Sequence, residues 1–106
     1  MAEVLLREAA RRDLVEHFVY LAENAGLNTA DRFLSSAEAS FEDLAQQPLM
    51  GAPVRLKHPE LVNLRKWRIK DFNNQLVFYE PRPDGLSVVR VLHAASDWWR
   101  LLGFEE

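Results

Sequence analysis

The sequence lacks cysteine, has few glycines and contains no long apolar run. Without cysteine, the chain can form neither a disulfide nor a thiolate metal site, and it has no thiol nucleophile. The four glycines are scattered, so the sequence has no glycine-rich phosphate-binding loop. No stretch approaches the roughly 18 apolar residues of a membrane-spanning helix, and the N-terminus has no apolar signal segment. We therefore expect a cytoplasmic protein that binds no membrane, metal or cofactor.

What is present is typical of one small globular domain. The chain has 106 residues, of which 48% are apolar, and these values predict a single packed domain over residues 1–106. The net charge of −3 is unevenly distributed, because the first half is acidic and basic residues are concentrated after Val54. This basic cluster consists of Arg55, Lys57, Arg65, Lys66, Arg68 and Lys70, with Glu60 among them. It either faces an acidic partner or is an ordinary solvated strand face with a basic loop.

Two amphipathic helices are predicted in the first half of the chain. Apolar residues recur every three or four positions over Ala9–Ala25, which indicates the first helix, and Gly26 is a natural residue to end it. Asn28 is a suitable N-cap for the second helix, whose apolar stripe covers Ala30–Ala45 and which ends before Pro48. Together they are predicted to form an antiparallel helical hairpin.

Runs rich in β-branched and aromatic residues predict four strands. Glu3–Arg7 is interpreted as an edge strand, and three further strands form an antiparallel meander, namely Leu64–Phe72, Gln75–Arg82 and Leu86–His93. The turns of the meander are Asp71–Asn74 and Arg82–Gly85, since Asn, Asp, Pro and Gly favour turn conformations. The predicted fold class is therefore α+β, in the order β-α-α-β-β-β.

Two further segments complete the prediction. Leu49–Pro59 is interpreted as the connection into the meander. Ser96 is expected to cap a short C-terminal helix over Asp97–Leu102. Some of the apolar side chains of this helix are expected to pack on the sheet.

The two faces of the predicted sheet differ. Alternation along the first meander strand places Trp67 and Ile69 toward the helices and Lys66, Arg68 and Lys70 on the opposite, open face. The next two strands are apolar on both faces, which is typical of strands that are covered on both sides. Since the helices protect only one face, we expect a partner protein to contribute the second cover.

Three segments resemble the RelE/ParE superfamily of toxins from bacterial toxin–antitoxin pairs. The first is Ala10–Leu14, which has the family pattern A-x-x-D-L, and the second is the strand Leu76–Tyr79. The third is Arg90–His93, which reads R-V-L-H, is followed by Asp97 and is characteristic of the ParE branch. The resemblance extends over nearly the whole chain and agrees with the predicted order of elements.

This resemblance implies a ParE-like toxin of a type II toxin–antitoxin system, which inhibits DNA gyrase by protein–protein binding and is not an enzyme. A cognate antitoxin would wrap around the toxin and neutralise it, and nucleic acid would be contacted only through the antitoxin or the target. One alternative is a RelE-like endoribonuclease that cuts messenger RNA in the ribosome. Another is a degenerate, non-toxic binding member of the family.

Two differences from the family patterns bear on these alternatives. Family strands commonly carry Arg within Y-R-x-x-Y, whereas this chain has Asn74 and Gln75 in that region, which argues against RNA cleavage. ParE-like chains commonly read H-x-x-R-D after the third strand, whereas here Ser96 precedes Asp97. The second difference keeps the non-toxic alternative open.

The resemblance and the charge pattern together predict two binding surfaces. The predicted antitoxin-binding residues are Arg65, Arg68, Arg90, Leu76 and Phe78. The predicted target-binding residues are His93, Asp97, Trp98 and Trp99.

RNA cleavage would require an acid or base close to cations that stabilise the phosphate. His93 is the candidate acid or base, and the candidate cations are Lys57, Arg65, Arg68 and Arg90. Alternation points Arg68 away from Arg65 and Arg90 away from His93, so these groups are not expected to converge. His93 is therefore interpreted as a structural histidine at a strand end, His17 and His58 are interpreted as solvated, and no catalytic residue is assigned.

Overall fold

The computed structural model describes residues 2–54 and 63–102, except for the side chain of Trp99. Its elements, in chain order, are β1 (Glu3–Leu6), α1 (Glu8–Ala25), α2 (Leu27–Gln46), β2 (Ala52–Pro53), β3 (Arg65–Ile69), β4 (Phe72–Arg82), β5 (Gly85–His93) and α3 (Trp98–Leu101). The predicted α+β class, N-terminal strand, helical hairpin and meander are confirmed. A single helical turn, α3, stands where a short helix over Asp97–Leu102 was predicted.

The strands form one sheet in the order β1-β5-β4-β3-β2. β1 lies at one edge, as predicted, and runs parallel to β5, with Glu3 opposite Gly85. The other strand pairs are antiparallel. The prediction of four strands is wrong by one, because Ala52 and Pro53 pair with β3 within the segment interpreted as a connection. A strand of two residues is too short to show hydrophobic alternation.

The turn between β3 and β4 is tighter than predicted. Lys70 and Asp71 make the turn, and Asp71 adopts a φ of 65°, a conformation that Asp tolerates. Phe72 already belongs to β4, and its ring packs edge-on against Phe33 of α2 with the centroids 5.3 Å apart. β3 therefore ends at Ile69, and the predicted turn over Asp71–Asn74 is wrong.

The two helices follow one another with a single residue between them. Gly26, with a φ of 98°, ends α1, and its carbonyl oxygen accepts the N–H of Ala30 at 3.2 Å in the first turn of α2. Asn28 lies inside α2, which begins at Leu27 without a side-chain cap, so the predicted N-cap is wrong. Gly26 occupies the position before α2, and its positive φ allows the chain to reverse between the two helices.

Apolar side chains cover both faces of the sheet. On the face covered by α1 and α2, the buried cluster consists of Ala10, Phe33, Ala37, Phe41, Leu44, Ala45, Ile69, Val77, Tyr79, Leu86, Val88 and Val91, with Trp67 packed against it. On the open face, a second cluster consists of Val54, Leu64, Leu76, Phe78, Val89 and Leu92, and Trp98 and Leu102 pack against it. Part of the second cover is therefore supplied by the chain itself, and Trp67 and Ile69 face the helices as predicted.

The start of α3 also differs from the prediction. The hydroxyl of Ser96 donates to the carbonyl oxygen of His93 at 2.6 Å, and no side chain caps the turn. The expectation that Ser96 is the cap is thus wrong. Within the described residues, no helix has the length and apolar character needed to cross a bilayer, and no three His, Asp or Glu side chains are grouped for metal binding.

Candidate functional site

Helix α1 covers the edge of β5 beyond Val88, where the pairing with β1 ends. Asp13 and His17, one helical turn apart, bind both backbone groups of Val91. The Val91 N–H donates to Asp13 Oδ2 at 2.9 Å, and His17 Nε2 donates to the Val91 carbonyl oxygen at 2.9 Å. Because a carbonyl oxygen can only accept, Nε2 of His17 carries the proton. The interpretation of His17 as a solvated side chain is therefore wrong.

Arg90 reaches from the open face of the sheet to the same edge. It lies opposite Phe78 in the register of β4 and β5. Its Nε donates to Asp13 Oδ2 at 2.7 Å and its Nη2 donates to Asp13 Oδ1 at 2.9 Å, which is the paired geometry that arginine makes with a carboxylate. Its Nη1 donates to the carbonyl oxygen of Leu101 at 3.1 Å. The hydrogen bond to Asp13 raises the pKa of Arg90 above its ordinary value.

The C-terminal turn covers part of the open face. Phe78 is fully buried, and its ring centroid lies 5.4 Å from that of Trp98, with the planes inclined by 39°. Lys66 Nζ lies 5.1 Å from the Trp98 ring centroid, within the range of a cation–π contact. Phe78 was predicted to bind the antitoxin and Trp98 the target. The two predicted surfaces therefore adjoin.

A groove of about 1020 Å³ follows β3 between the end of α2 and the C-terminal turn. Lys66, Arg68 and Lys70 line it together with apolar residues that include Met50 and Leu76. Basic and apolar groups side by side suit a protein segment that carries acidic and apolar side chains. The remaining basic residues of the cluster, Arg55 and Lys57, lie outside the described residues, as do Glu60 and His58.

A buried hydroxyl fixes the connection that leads from α2 into the groove. Tyr79 Oη donates to the Pro48 carbonyl oxygen at 2.7 Å and accepts the N–H of Gly51 at 2.9 Å. Arg65 Nη1 donates to the carbonyl oxygen of the same glycine at 2.6 Å. Burial raises the pKa of the Tyr79 hydroxyl, which the Gly51 hydrogen bond and the nearby Arg65 charge oppose.

The structure places the five predicted antitoxin-binding residues on different parts of the sheet. Arg68 is exposed and lies opposite Leu76, which belongs to the open-face cluster with Phe78. Arg65 lies opposite Tyr79 of the helix-side cluster, and its guanidinium bonds the connection after α2. Arg90 is hydrogen-bonded to Asp13 at the edge of β5. Arg68 and Leu76 are thus the members that share the groove.

The predicted target-binding residues lie at the end of β5 and in the segment that follows. His93 is exposed, and its Nδ1 accepts the N–H of Ala95 at 3.0 Å, as suits a histidine that ends a strand. Asp97 is exposed directly before α3, and Trp98 is half-buried. The side chain of Trp99 lies outside the described part of the structure.

Sequence reasoning missed Asp13 and His17 as functional groups at the sheet edge. Their spacing of four residues puts them on one side of α1, the side that also carries the buried Ala10. Polar residues on the apolar side of a helix are the signal that could have identified them, since a buried polar group requires a partner.

The fold and the motif-bearing segments match one protein family. A family model described as the ParE toxin of the type II toxin–antitoxin system parDE matches residues 4–98. A search of curated proteins finds no match. Among solved structures, the chain is similar to one described as "Chromosomal ParDE TA system from P. aeruginosa", with a TM-score of 0.70 and 14% identity, covering 88% of this chain and 96% of the other. The structural likeness shows the fold, and the family match extends over most of the sequence. The chain belongs to the ParE toxins of type II toxin–antitoxin systems.

Proposed function

We propose that this toxin inhibits DNA gyrase by protein–protein binding, without catalysis, and that a cognate antitoxin neutralises it by binding the open face and the groove. The family supports both parts of this proposal. The observation that carries the choice of binding over RNA cleavage is that the three described candidate cations, Arg65, Arg68 and Arg90, are either bonded elsewhere or directed away from His93. Arg90 is hydrogen-bonded to Asp13, and Arg65 is hydrogen-bonded to Gly51.

Arg68, the remaining candidate cation within the described residues, is directed to a different face from His93, and Lys57 lies outside those residues. Arg68 lies opposite Leu76, which belongs to the open-face cluster. Leu92 belongs to the same cluster, so the next residue along β5, His93, is directed to the helix side. A phosphate held by Arg68 on the open face would therefore not contact the His93 imidazole. This arrangement supports a toxin that acts by binding.

The antitoxin surface that we propose is the groove along β3. Arg68 supplies an exposed positive charge there, the half-buried Met50 supplies apolar surface, and the buried Leu76 also lines the groove. The target surface that we propose comprises His93, Asp97 and Trp98, together with Trp99. Because Trp98 packs on Phe78, an antitoxin bound in the groove would lie next to the target surface and could exclude the target.

Pulse-labelling of cells after induction of this chain without an antitoxin tests the gyrase proposal. We expect DNA synthesis to fall before protein synthesis and the DNA-damage response to rise. A collapse of protein synthesis with cleaved messages would instead support the RelE-like endoribonuclease. No effect on either process, from a chain shown to be folded and expressed, would support the non-toxic binding protein.

A second experiment tests the target surface with purified gyrase. We expect Asp97→Lys to raise the concentration needed to inhibit supercoiling by about tenfold, because reversing a charge within a binding surface costs about 1.4 kcal/mol or more. Asp84→Lys is the matched control, since Asp84 is exposed in the β4–β5 turn at the other end of the strands. If Asp97→Lys inhibits gyrase as strongly as Asp84→Lys does, Asp97 does not contribute to the target surface.

A further inference from the structure

The two motif segments at Ala10–Leu14 and Arg90–His93 meet in the structure. Asp13 from the first accepts hydrogen bonds from Arg90 and from the backbone of Val91 in the second. The Asp13 side chain is 6% exposed and that of Arg90 is 23% exposed. A carboxylate buried to this extent needs such partners, and the two nitrogens of the guanidinium edge supply them.

The opposite side of the Arg90 guanidinium binds the C-terminal turn. Nη1 donates to the carbonyl oxygen of Leu101, the last residue of α3. Within that turn, Trp98 packs on Phe78, and Leu102 packs on the open-face cluster. One side chain therefore joins α1, the edge of β5 and the segment that covers the open face.

We propose that Asp13 and Arg90 form a positioning pair for the C-terminal turn. Asp13 fixes the plane of the guanidinium, and Arg90 then holds Leu101 in the position that keeps Trp98 on Phe78. In this role, the pair acts on the target surface through the C-terminal turn. The link to toxicity rests on the proposed function, because it requires that α3 and its neighbours contact gyrase.

The geometry of the guanidinium explains why arginine is needed. Its planar fork offers one pair of donors to the carboxylate while Nη1 remains available for the Leu101 carbonyl oxygen. A lysine ammonium is a single point charge and would satisfy one of these acceptors at the expense of the other. Arg90→Lys therefore keeps the charge and removes the connection between α1 and the C-terminal turn.

The fluorescence of Trp98 tests the proposal directly. In a Trp67→Phe, Trp99→Phe background, Trp98 is the single tryptophan of the chain. We expect Arg90→Lys to shift its emission to longer wavelength and to raise its quenching by acrylamide several-fold, while far-UV circular dichroism remains unchanged. Arg7→Lys is the matched control, because the Arg7 side chain bonds Glu80 and Ser87 and not the C-terminal turn. It should leave the Trp98 signal as in the parent.

A neutral pair keeps the experiment decisive if the single variants do not fold. The double variant Asp13→Asn, Arg90→Gln leaves no buried charge, and the Asn oxygen can still accept the Val91 N–H. Glutamine is too short to reach Leu101 while bonding residue 13. We expect this variant to fold and to show the same exposed Trp98. Folded Arg90→Lys and double variants with the parental emission and quenching would overturn the proposal.

Gyrase inhibition separates this inference from the proposed function. If the tryptophan-containing wild-type chain inhibits supercoiling, we expect Arg90→Lys to weaken inhibition by about tenfold, the effect of losing one charge-assisted hydrogen bond. If wild type does not inhibit gyrase, the proposed target is wrong, and the fluorescence of Trp98 still decides whether the pair positions the turn. If Arg90→Lys exposes Trp98 but inhibits gyrase as well as wild type does, the functional part of the inference is wrong.

Discussion

The hydroxyl of Tyr79 is buried and has a partner for both of its hydrogen-bonding roles. It donates to Pro48 and accepts from Gly51, so a side chain of the central strand β4 holds the start of the connection after α2. A buried hydroxyl without partners would cost roughly 1–3 kcal/mol. These bonds therefore determine where the chain leaves α2 on its way to β2.

We expect Tyr79→Phe to lower the free energy of unfolding by about 1–2 kcal/mol near neutral pH, because Pro48 and Gly51 lose their partner. Burial raises the pKa of Tyr79 above 10.0 in the folded protein. The folded state thus holds this proton more tightly than the unfolded chain does. The resulting stability is complete below a pH of about 10 and is lost as the pH rises through the raised pKa. Urea unfolding at a series of pH values measures both effects.

Tyr20→Phe is the matched control for that experiment, since Tyr20 is 63% exposed on α1. It should change neither the stability at neutral pH nor its decline in alkali. If Tyr79→Phe is as stable as wild type, or loses stability just as steeply above a pH of about 10, the role assigned to the hydroxyl is wrong.

Gly51 is required for close packing rather than for an unusual backbone angle. A Cβ at this position would lie 2.4 Å from Tyr79 Oη and 2.8 Å from the Lys66 carbonyl oxygen. We expect Gly51→Ala to cost about 2–3 kcal/mol of unfolding free energy, as overpacking does. Urea unfolding measures this cost.

Gly26→Ala provides a comparison of the opposite kind. A Cβ at Gly26 would have nothing within 4 Å, and only the φ of 98° opposes it. We expect its cost to be about 1 kcal/mol. Gly51→Ala should therefore be the more harmful substitution, and the reverse order would contradict the packing argument.

At the scale of elements, the helices and the long strands could be predicted because each carries its own periodicity. α1 and α2 repeat apolar residues every three or four positions, and β4 and β5 are rich in β-branched and aromatic residues bounded by turn residues. β2 has two residues and depends wholly on its partner β3, so local sequence carries no signal for it. Likewise, the tight turn at Asp71 depends on the packing of Phe72 against Phe33 of α2, which the local sequence does not reveal.

The candidate site was less accessible to sequence reasoning than the fold. Alternation correctly separated Arg68 from Arg65, because the two residues lie in a regular part of β3. The pairing of Asp13 with Arg90 joins residues far apart in the chain, and nothing local to either one reveals the other. The sequence analysis interpreted Asp13 only as part of a motif, and it interpreted Arg90 as part of another motif and as a positive charge for a partner.

The pairing of β1 with β5 depends on Gly85. Its φ is 154°, and a Cβ there would lie 1.8 Å from the carbonyl oxygen of Glu3. We expect Gly85→Ala to push β1 off the sheet and to increase amide exchange at Val4 and Leu6 by at least about tenfold. Amides of β4 should remain protected, since that strand keeps β3 as a neighbour. Unchanged exchange in β1 would show that the strand can adjust to the added methyl group.

At the scale of the whole molecule, charge and shape favour a broad binding surface. The body measures 40 × 37 × 21 Å, as two layers of structure require. Its basic groove lies along β3 in a protein with a net charge of −3. A local positive region on an acidic protein selects acidic partners and speeds their approach, an effect that salt screens.

We expect Arg68→Glu to weaken binding of the cognate antitoxin by about tenfold or more at low salt, mainly through slower association. Arg82→Glu changes the net charge equally, and Arg82 is exposed at the far end of β4, so it serves as the control. Surface plasmon resonance at several salt concentrations measures both variants. If both substitutions weaken antitoxin binding equally, the net charge of the protein and not the groove determines the effect.

The parallel pairing of β1 with β5 also has a consequence for synthesis of the protein. Glu3 is synthesised well before its partner Gly85, which is added only after α1, α2 and the strands β2 to β4. Chains grow at roughly 5–20 residues per second, and contacts between distant segments form slowly. The ion pair of Asp13 with Arg90 likewise forms only after Arg90 has been synthesised. In nascent chains, β1 therefore has no partner strand for several seconds. A message cut before the codon for Gly85 would yield a fragment that lacks β5 and cannot complete the fold.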